Sequence, residues 1–290
     1  MHPAPSVIVF TTLSGLGFGM LAWLGLGFPL VTGWVAFAMF ALAYALAVGG
    51  LLASTFHLGH PERAIKAFSQ WRSSWLSREG VVSVATLTVM ALYAAGAVFF
   101  DVHWALLGWI GAGLSLLTVF CTAMIYAQLD TVPRWKTPLT PVLFMLISMA
   151  GGALLAGQIW AAMVLFPVAA ICQVMWWLRG DGAFKLAGST LATATGLGDR
   201  GRVRAFEPPH TGTNYLLREF AFEVGRKHAD KLRVIALTFG FVIPFSLLWL
   251  PFSHAFVLIA GLSHLAGIAA SRWLFFAQAE HVVGLYYGKR

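Results

Sequence analysis

Long apolar runs, repeated along the whole chain and separated by short breaks, dictate what this sequence can fold into. A run of roughly 18 or more apolar residues is long enough to cross a bilayer as a helix. Inside lipid, the backbone must satisfy its own N–H and C=O groups, which leaves helices or closed barrels. Strand-like alternation is absent, which argues against the barrel. We place eight spans at 7–28, 33–55, 81–100, 105–128, 141–157, 159–178, 233–251 and 255–277. The expected fold class is therefore all-α, a single membrane domain over 1–290 built as a bundle of eight transmembrane helices. Composition agrees: 59% of residues are hydrophobic, well above the roughly 45–50% of a soluble domain. The stretch 141–178 is one apolar run. We divide it at Gly157-Gln158, because a single helix of that length would overshoot the bilayer about twofold. The start, MHPAPS, has no Lys or Arg and precedes a run too long for the apolar core of a signal peptide, so it reads as the approach to span one.

The charges tell the two faces apart. The net charge is +8, and its placement argues for membrane orientation rather than nucleic-acid binding. Arg63, Lys66, Arg72 and Arg78 lie in loop 56–80, and Arg134 and Lys136 in loop 129–140. A further set from Arg179 to Arg233 lies in loop 179–232 and its flanks. Lys289 and Arg290 end the sequence. The intervening loops, near 29–32, 101–104, 157–158 and 252–254, carry no Lys or Arg. By the positive-inside rule, both termini and the three basic loops are cytoplasmic, and an even number of spans keeps the pattern intact.

Functional groups concentrate in residues 53–80, ASTFHLGHPERAIKAFSQWRSSWLSREG. Gly59-His60-Pro61 breaks the helix, and Pro61 can open a new one. Ile65, Phe68, Trp71 and Trp75 then recur at three- and four-residue spacing, as in a helix lying in the interface. His57 leaves span two at the depth where Glu79 enters span three. Glu79 can be a helix-start carboxylate favoured by the dipole, or the acid of a proton relay with the His57 imidazole. Such a rim above an apolar slot is what a redox-active quinone needs. Asp130, where span four exits, is expected on the same face, either as a site-rim group or as a solvated helix end.

The remaining candidates are weaker. Cys121 and Cys172 are isolated thiols inside spans, which cannot form a four-cysteine cluster or a structural zinc site. They read as core residues. Gly196, Gly198 and Gly201 formally match a dinucleotide fingerprint, but no strand precedes them. Residues 211–231, with Leu217, Phe220 and Val224 on one face, read as an amphipathic helix that docks a partner or the membrane. His264 and Arg272 fall in span eight. Arg272 is expected to snorkel to the cytoplasmic face. A bis-histidine haem b is not expected, since only His264 lies well inside a span. The protein is expected to hold no metal of its own.

At FHLGHPERA, LSRE and YAQLDTVPRW the sequence resembles the DMSO reductase membrane-anchor family. The resemblance extends over most of its length in topology. It implies a quinone site with His57 and Glu79 as its proton-exchanging pair; Arg63, Ser77 and Asp130 match further motif positions. It also implies a partner iron–sulfur subunit and a molybdopterin catalytic subunit, with ubiquinone or menaquinone as the substrate of this chain, and a bacterial cytoplasmic membrane as its location. The start HPAPSVIVFTTLSG and the loop PPHTGTNYLLREFAFEVGRKHADKLR are most similar to the anchors of the sulfite-oxidising branch, the sulfite dehydrogenases. The cytoplasmic placement of the motif loop favours that branch. The expected function is passage of electrons from cytoplasmic sulfite oxidation to quinone. The alternatives are a quinol-oxidising anchor for DMSO or another oxyanion, a small-solute transporter gated by Arg272 and His264, and an anchor without quinone chemistry.

Overall fold

Apolar runs of this length close their backbone hydrogen bonds within helices. A computed structural model of the protein describes residues 1–56, 60–207, 210, 212–220 and 228–288, and no strand occurs among them. The long helices are α1 (Pro5–Gly25), α2 (Gly33–Thr55), α3 (Trp75–Phe99), α4 (Ala105–Ala127), α5 (Leu139–Leu155) and α6 (Ile159–Leu186). Two short helices follow, α7 (Leu191–Thr195) and α8 (Tyr215–Glu219). Then α9 (Ala229–Leu237) passes through a π-helical turn (Thr238–Val242) into α10 (Ile243–Leu248), and α11 (His254–Ala277) ends the bundle. Among the described residues, seven helices are long and apolar enough to cross a membrane, counting Ala229–Leu248 as one. The eighth apolar helix, α5, has 17 residues, a length of roughly 25 Å. It is set off from α6 at Gly157, whose φ of +69° is a left-handed conformation that glycine adopts without strain.

Two helices extend beyond their apolar runs. Ser74 accepts a hydrogen bond from the Ser77 N–H and caps α3, so the helix begins at Trp75 rather than near 81 and carries Ser77 and Glu79 within it. Helix α6 continues through Arg179, Lys185 and Leu186. Between α2 and α3, Pro61–Gln70 forms a 3₁₀ helix instead of the expected interfacial α-helix. Ile65 and Phe68 are three residues apart, which suits the three-residue turn of that conformation. Of the amphipathic helix expected over 211–231, residues 215–219 form α8 and 229–231 open α9; Val224 lies outside the described residues.

Helix α1 is the hub, packing against α2, α4, α5 and α11. It gets close by having almost nothing between the backbones. A Cβ on Gly152 of α5 would collide with the backbone of Gly19 and Met20, and one on Gly17 with that of Ala43 and Ala47 in α2. Small residues at a helix crossing allow this approach in membranes, where van der Waals contact replaces the hydrophobic effect between helices. The Trp23 indole N–H donates to the Met149 carbonyl at 3.0 Å beside the same crossing.

At the end bearing the basic loops, polar contacts join the connections. Asp181 of α6 accepts from Arg134 (2.8 Å) and from Arg233 (2.5 and 2.9 Å). Arg179 donates to the carbonyls of Pro133 and Lys136. Burial pulls the Arg134 guanidinium below its ordinary range, and its hydrogen bond to Asp181 works the other way. The C-terminal 3₁₀ turn Val282–Tyr287 holds the long loop: Tyr286 donates to the Ala194 carbonyl, and Asn214 donates to the Tyr287 hydroxyl. At the other end, Trp34, Trp104, Trp160 and Trp249 are exposed at helix termini, in the manner of an aromatic interfacial belt.

Arg272 does not snorkel. It is 2% exposed, with its guanidinium 3.5 Å from the centre of the Phe144 ring. The aromatic cluster of Tyr126, Trp135, Phe144 and Phe275 around this place turns the side chain into the bundle. His264 is also buried, and its Nδ1 donates to the Gly240 carbonyl at 2.6 Å.

Two substitutions test this packing. Gly152→Val should destabilise the detergent-solubilised protein by about 1–3 kcal/mol, the usual range for overpacking; an unchanged melting midpoint would show that the α1–α5 crossing is loose. Asp181→Asn should cost about 1 kcal/mol, allowing for the half-exposed position of the carboxylate. It should also speed tryptic cleavage within 187–228, and cleavage at the parental rate would count against the clamp.

Candidate functional site

The interior face of α3 carries hydroxyls and one carboxyl at helical spacing: Glu79, Ser83 and Thr86 are all buried against the bundle. On α4, Ser115, Thr118 and Thr122 form a matching buried stripe. Residues three and four apart share a helix face, so the two stripes meet along the α3–α4 seam. Thr86 and Thr118 share a hydrogen bond of 3.0 Å between their hydroxyls. The Thr122 hydroxyl donates to Glu79 Oε1 in a short contact. Glu79 is only 4% exposed, so this hydroxyl supplies a donor that water supplies elsewhere.

A cavity of about 490 Å³ opens beside Glu79, between the end of α2, the 3₁₀ helix and the start of α3. Leu51, Leu52, Leu76 and Val84 make apolar walls; His60, Arg63, Ser77 and Glu79 add polar groups. Volume and lining fall within the range for small-molecule sites, which are mostly apolar with a few placed polar groups. Phe68 also lines it, and its ring rests on Gly80: a Cβ there would lie 3.2 Å from the ring edge. The Tyr44 hydroxyl donates to the Leu87 carbonyl at 2.6 Å and ties α2 to α3 farther along.

Arg78 points away from Glu79. It donates to the carbonyls of Trp71 (3.0 Å) and Arg72 (2.6 Å), and its guanidinium lies 4.3 Å from the Trp75 ring centre. It thereby fastens the turn that connects the 3₁₀ helix to α3. The contact with Trp75 adds a cation–π attraction to two charge-assisted bonds.

Of the residues singled out in the sequence, Arg63, Ser77 and Glu79 line one cavity. His57 lies outside the described residues, three positions before His60 at the rim. Asp130 does not line the cavity. It is exposed and pairs with Lys136 Nζ at 2.6 Å. After Asp130 the backbone folds toward α11: Val132 and Trp135 are buried, and the Trp135 indole donates to the Phe275 carbonyl. The sequence motifs do not single out Thr122 or His60. A signal for Thr122 does exist, in the hydroxyls at 115, 118 and 122 of an otherwise apolar run. Among the described residues, no group of three or more His, Cys, Asp or Glu side chains could hold a metal ion.

A second cavity, apolar and of similar volume at about 500 Å³, lies toward the opposite ends of the helices, lined by Leu16, Leu154, Leu258 and Leu262 with His254. It has hardly any polar lining, so the chemistry points to the Glu79 cavity.

Comparison with known proteins agrees with the motifs. No solved structure matches this protein. A sulfite dehydrogenase subunit of Allochromatium vinosum is 34% identical over 99% of both sequences. The anaerobic dimethyl sulfoxide reductase chain YnfH of Escherichia coli is 29% identical over 64% of this protein and 69% of its own length. A second anaerobic dimethyl sulfoxide reductase chain of the same organism is 30% identical, over 40% of this protein and 42% of its own length. The family model described as DMSO reductase anchor subunit (DmsC) matches residues 2–278, so this chain, a multi-pass membrane protein by its helices, belongs to the DMSO reductase anchor subunit family.

Proposed function

We propose that this chain is the quinone-reducing anchor of a sulfite-oxidising complex in the bacterial cytoplasmic membrane. The observation that carries the proposal is Glu79: a buried carboxyl at the wall of an apolar cavity, with a hydroxyl donor behind it and Arg63, His60 and Ser77 around it. The apolar walls suit the ring and tail of a quinone. The polar side suits its two carbonyl oxygens, which become hydroxyls on reduction. The sulfite assignment follows from the relative named as a sulfite dehydrogenase subunit, which matches along nearly the whole of both sequences.

In this reading α5 spans the bilayer with the seven longer helices. The even count puts both termini and loops 56–80, 129–140 and 179–232 on the cytoplasmic side, as the Lys and Arg distribution requires. An iron–sulfur subunit and a molybdopterin subunit sit on that face and deliver electrons from sulfite. Arg63 and Ser77 orient the quinone head by donating to its oxygens. His57 and Glu79 supply the two protons that accompany the two electrons. Imidazole, with an ordinary pKa of about 6.5, exchanges protons readily near neutral pH. Proton uptake from the cytoplasmic side makes the step electroneutral. Asp130, engaged with Lys136, stands apart from this chemistry. The opposite direction, quinol oxidation, would use the same residues as proton acceptors, and the two relatives named as dimethyl sulfoxide reductase chains keep that reading open.

The decisive experiment is quinone-dependent sulfite oxidation in membranes carrying His57→Ala or Glu79→Gln, beside sulfite oxidation with an artificial acceptor that bypasses the anchor. Loss of a general acid costs about 10²–10⁴-fold, so the quinone reaction should fall by at least about a hundredfold while the bypass reaction holds. Parental quinone rates in both variants would move the site elsewhere, and the absence of sulfite oxidation by either route in the parent would remove sulfite as the substrate.

A further inference from the structure

The Thr122 hydroxyl has one hydrogen and two acceptors in reach. One is Glu79 Oε1; the other is the Thr118 carbonyl at 3.1 Å, one helical turn back along α4. A hydroxyl has one O–H to donate and lone pairs to accept with, so these two bonds describe alternatives. In a membrane helix the bond back to the i−4 carbonyl is the ordinary resting partner of a threonine. Thr122 can therefore release Glu79 without leaving its own hydroxyl unpaired in a dry seam.

We propose that Thr122 is a positioning residue that switches with the protonation of Glu79. When Glu79 is a carboxylate, the Thr122 hydrogen points to Oε1. When Glu79 holds a proton, that hydrogen turns to the Thr118 carbonyl, and the Thr122 oxygen is left as an acceptor. In neither state is a buried donor without an acceptor. The carboxyl is thus kept at the cavity wall through a full cycle of proton loss and gain. Its titratable and charged neighbours include Cys121 and Tyr126 on α4 and Arg78 on its own helix. Arg63 and His60 face the same cavity from the 3₁₀ helix. None of these replaces Thr122 in the hydrogen bond described for the carboxyl.

Placed in the proposed reaction, on which this part rests, the step balances as follows. The Glu79 O–H bond breaks and an O–H bond forms on one quinone oxygen, the second proton reaches the other oxygen from His57, and the electron pair arrives from sulfite through the partner subunits. Glu79 is left as a carboxylate, the Thr122 O–H rotates to it, and a proton entering through the cavity mouth resets both.

The test compares Thr122→Val, which keeps the shape and removes the hydroxyl, with Thr122→Ser, which restores the hydroxyl, in the assembled complex. Loss of a hydrogen bond to a charged group corresponds to roughly a 10- to 100-fold change. Thr122→Val should lower kcat for a water-soluble quinone analogue by that factor, with KM within about twofold of the parent and the artificial-acceptor reaction unchanged. Thr122→Ser should recover most of kcat. Infrared difference spectra provide a readout that does not depend on the quinone. The carboxyl band that disappears in Glu79→Gln should move to higher frequency in Thr122→Val and return in Thr122→Ser. An unmoved band in Thr122→Val overturns the switch, as does a kcat loss that serine fails to recover. If the band moves while Glu79→Gln leaves quinone reduction intact, the switch stands and the quinone assignment falls.

Discussion

A carboxyl group withdrawn from water must find a donor, and in this bundle Glu79 finds Thr122. The cost of leaving a buried ionised group unsolvated is several kcal/mol. A helix packed among apolar neighbours offers no backbone N–H to cover it, because each N–H beyond the first turn is already bonded within its helix. A side-chain hydroxyl on the facing helix is the available remedy, and it works only if α3 and α4 run in register. The α3–α4 seam is thus held by the same contacts that make the carboxyl usable: Thr122 to Glu79, and Thr118 with Thr86 one and two turns farther in. The seam positions the acid, and the acid makes the seam's register matter.

The second polar locus solves its problem differently. Arg272 lies in the bundle interior, its guanidinium against the face of Phe144, with Tyr126 in electrostatic reach. An aromatic face attracts a cation more strongly when the pair is shielded from water. Nearby, Ser271 donates to Gln173 Oε1 at 2.7 Å. These groups join α4, α5, α6 and α11 in the bundle interior.

How far the sequence can be read depends on what apolarity measures. Run length reports position along the membrane normal, so the helical class and the segregation of basic loops are directly legible. It says nothing about the angle around the bundle. Asp130 and Glu79 both sit near helix ends at the basic-loop face, and hydropathy alone groups them. The backbone after Asp130 turns under α11 instead, drawn by the burial of Trp135 against Phe275. Arg272 illustrates the same limit. Its place near a helix end suggests an outward course, but the direction of a side chain is set by what other helices place beside it. Hydropathy also ends a helix where polarity begins, while hydrogen bonding does not. Ser74 caps α3 ahead of the polar residues Ser77, Arg78 and Glu79, and this extra helical turn fixes which of them face inward.

That turn has a consequence for the order of groups at the cavity. Ser77 and Glu79 are both buried, whereas Arg78 between them swings out to hold the preceding turn. On a helix, neighbours in sequence point about 100° apart, so a cation at 78 cannot neutralise the carboxyl at 79 from inside the seam. Had the helix begun near 81, all three would have belonged to a loop, with Arg78 and Glu79 free to form an ion pair. The cap at Ser74 therefore separates the charge from the acid. It leaves Glu79 with a neutral hydroxyl as its described partner, and a neutral partner can follow a proton that comes and goes. An arginine in that place would hold the carboxylate in one state. The same turn that extends α3 past its apolar run thus makes a proton-exchanging carboxyl compatible with a dry helix seam.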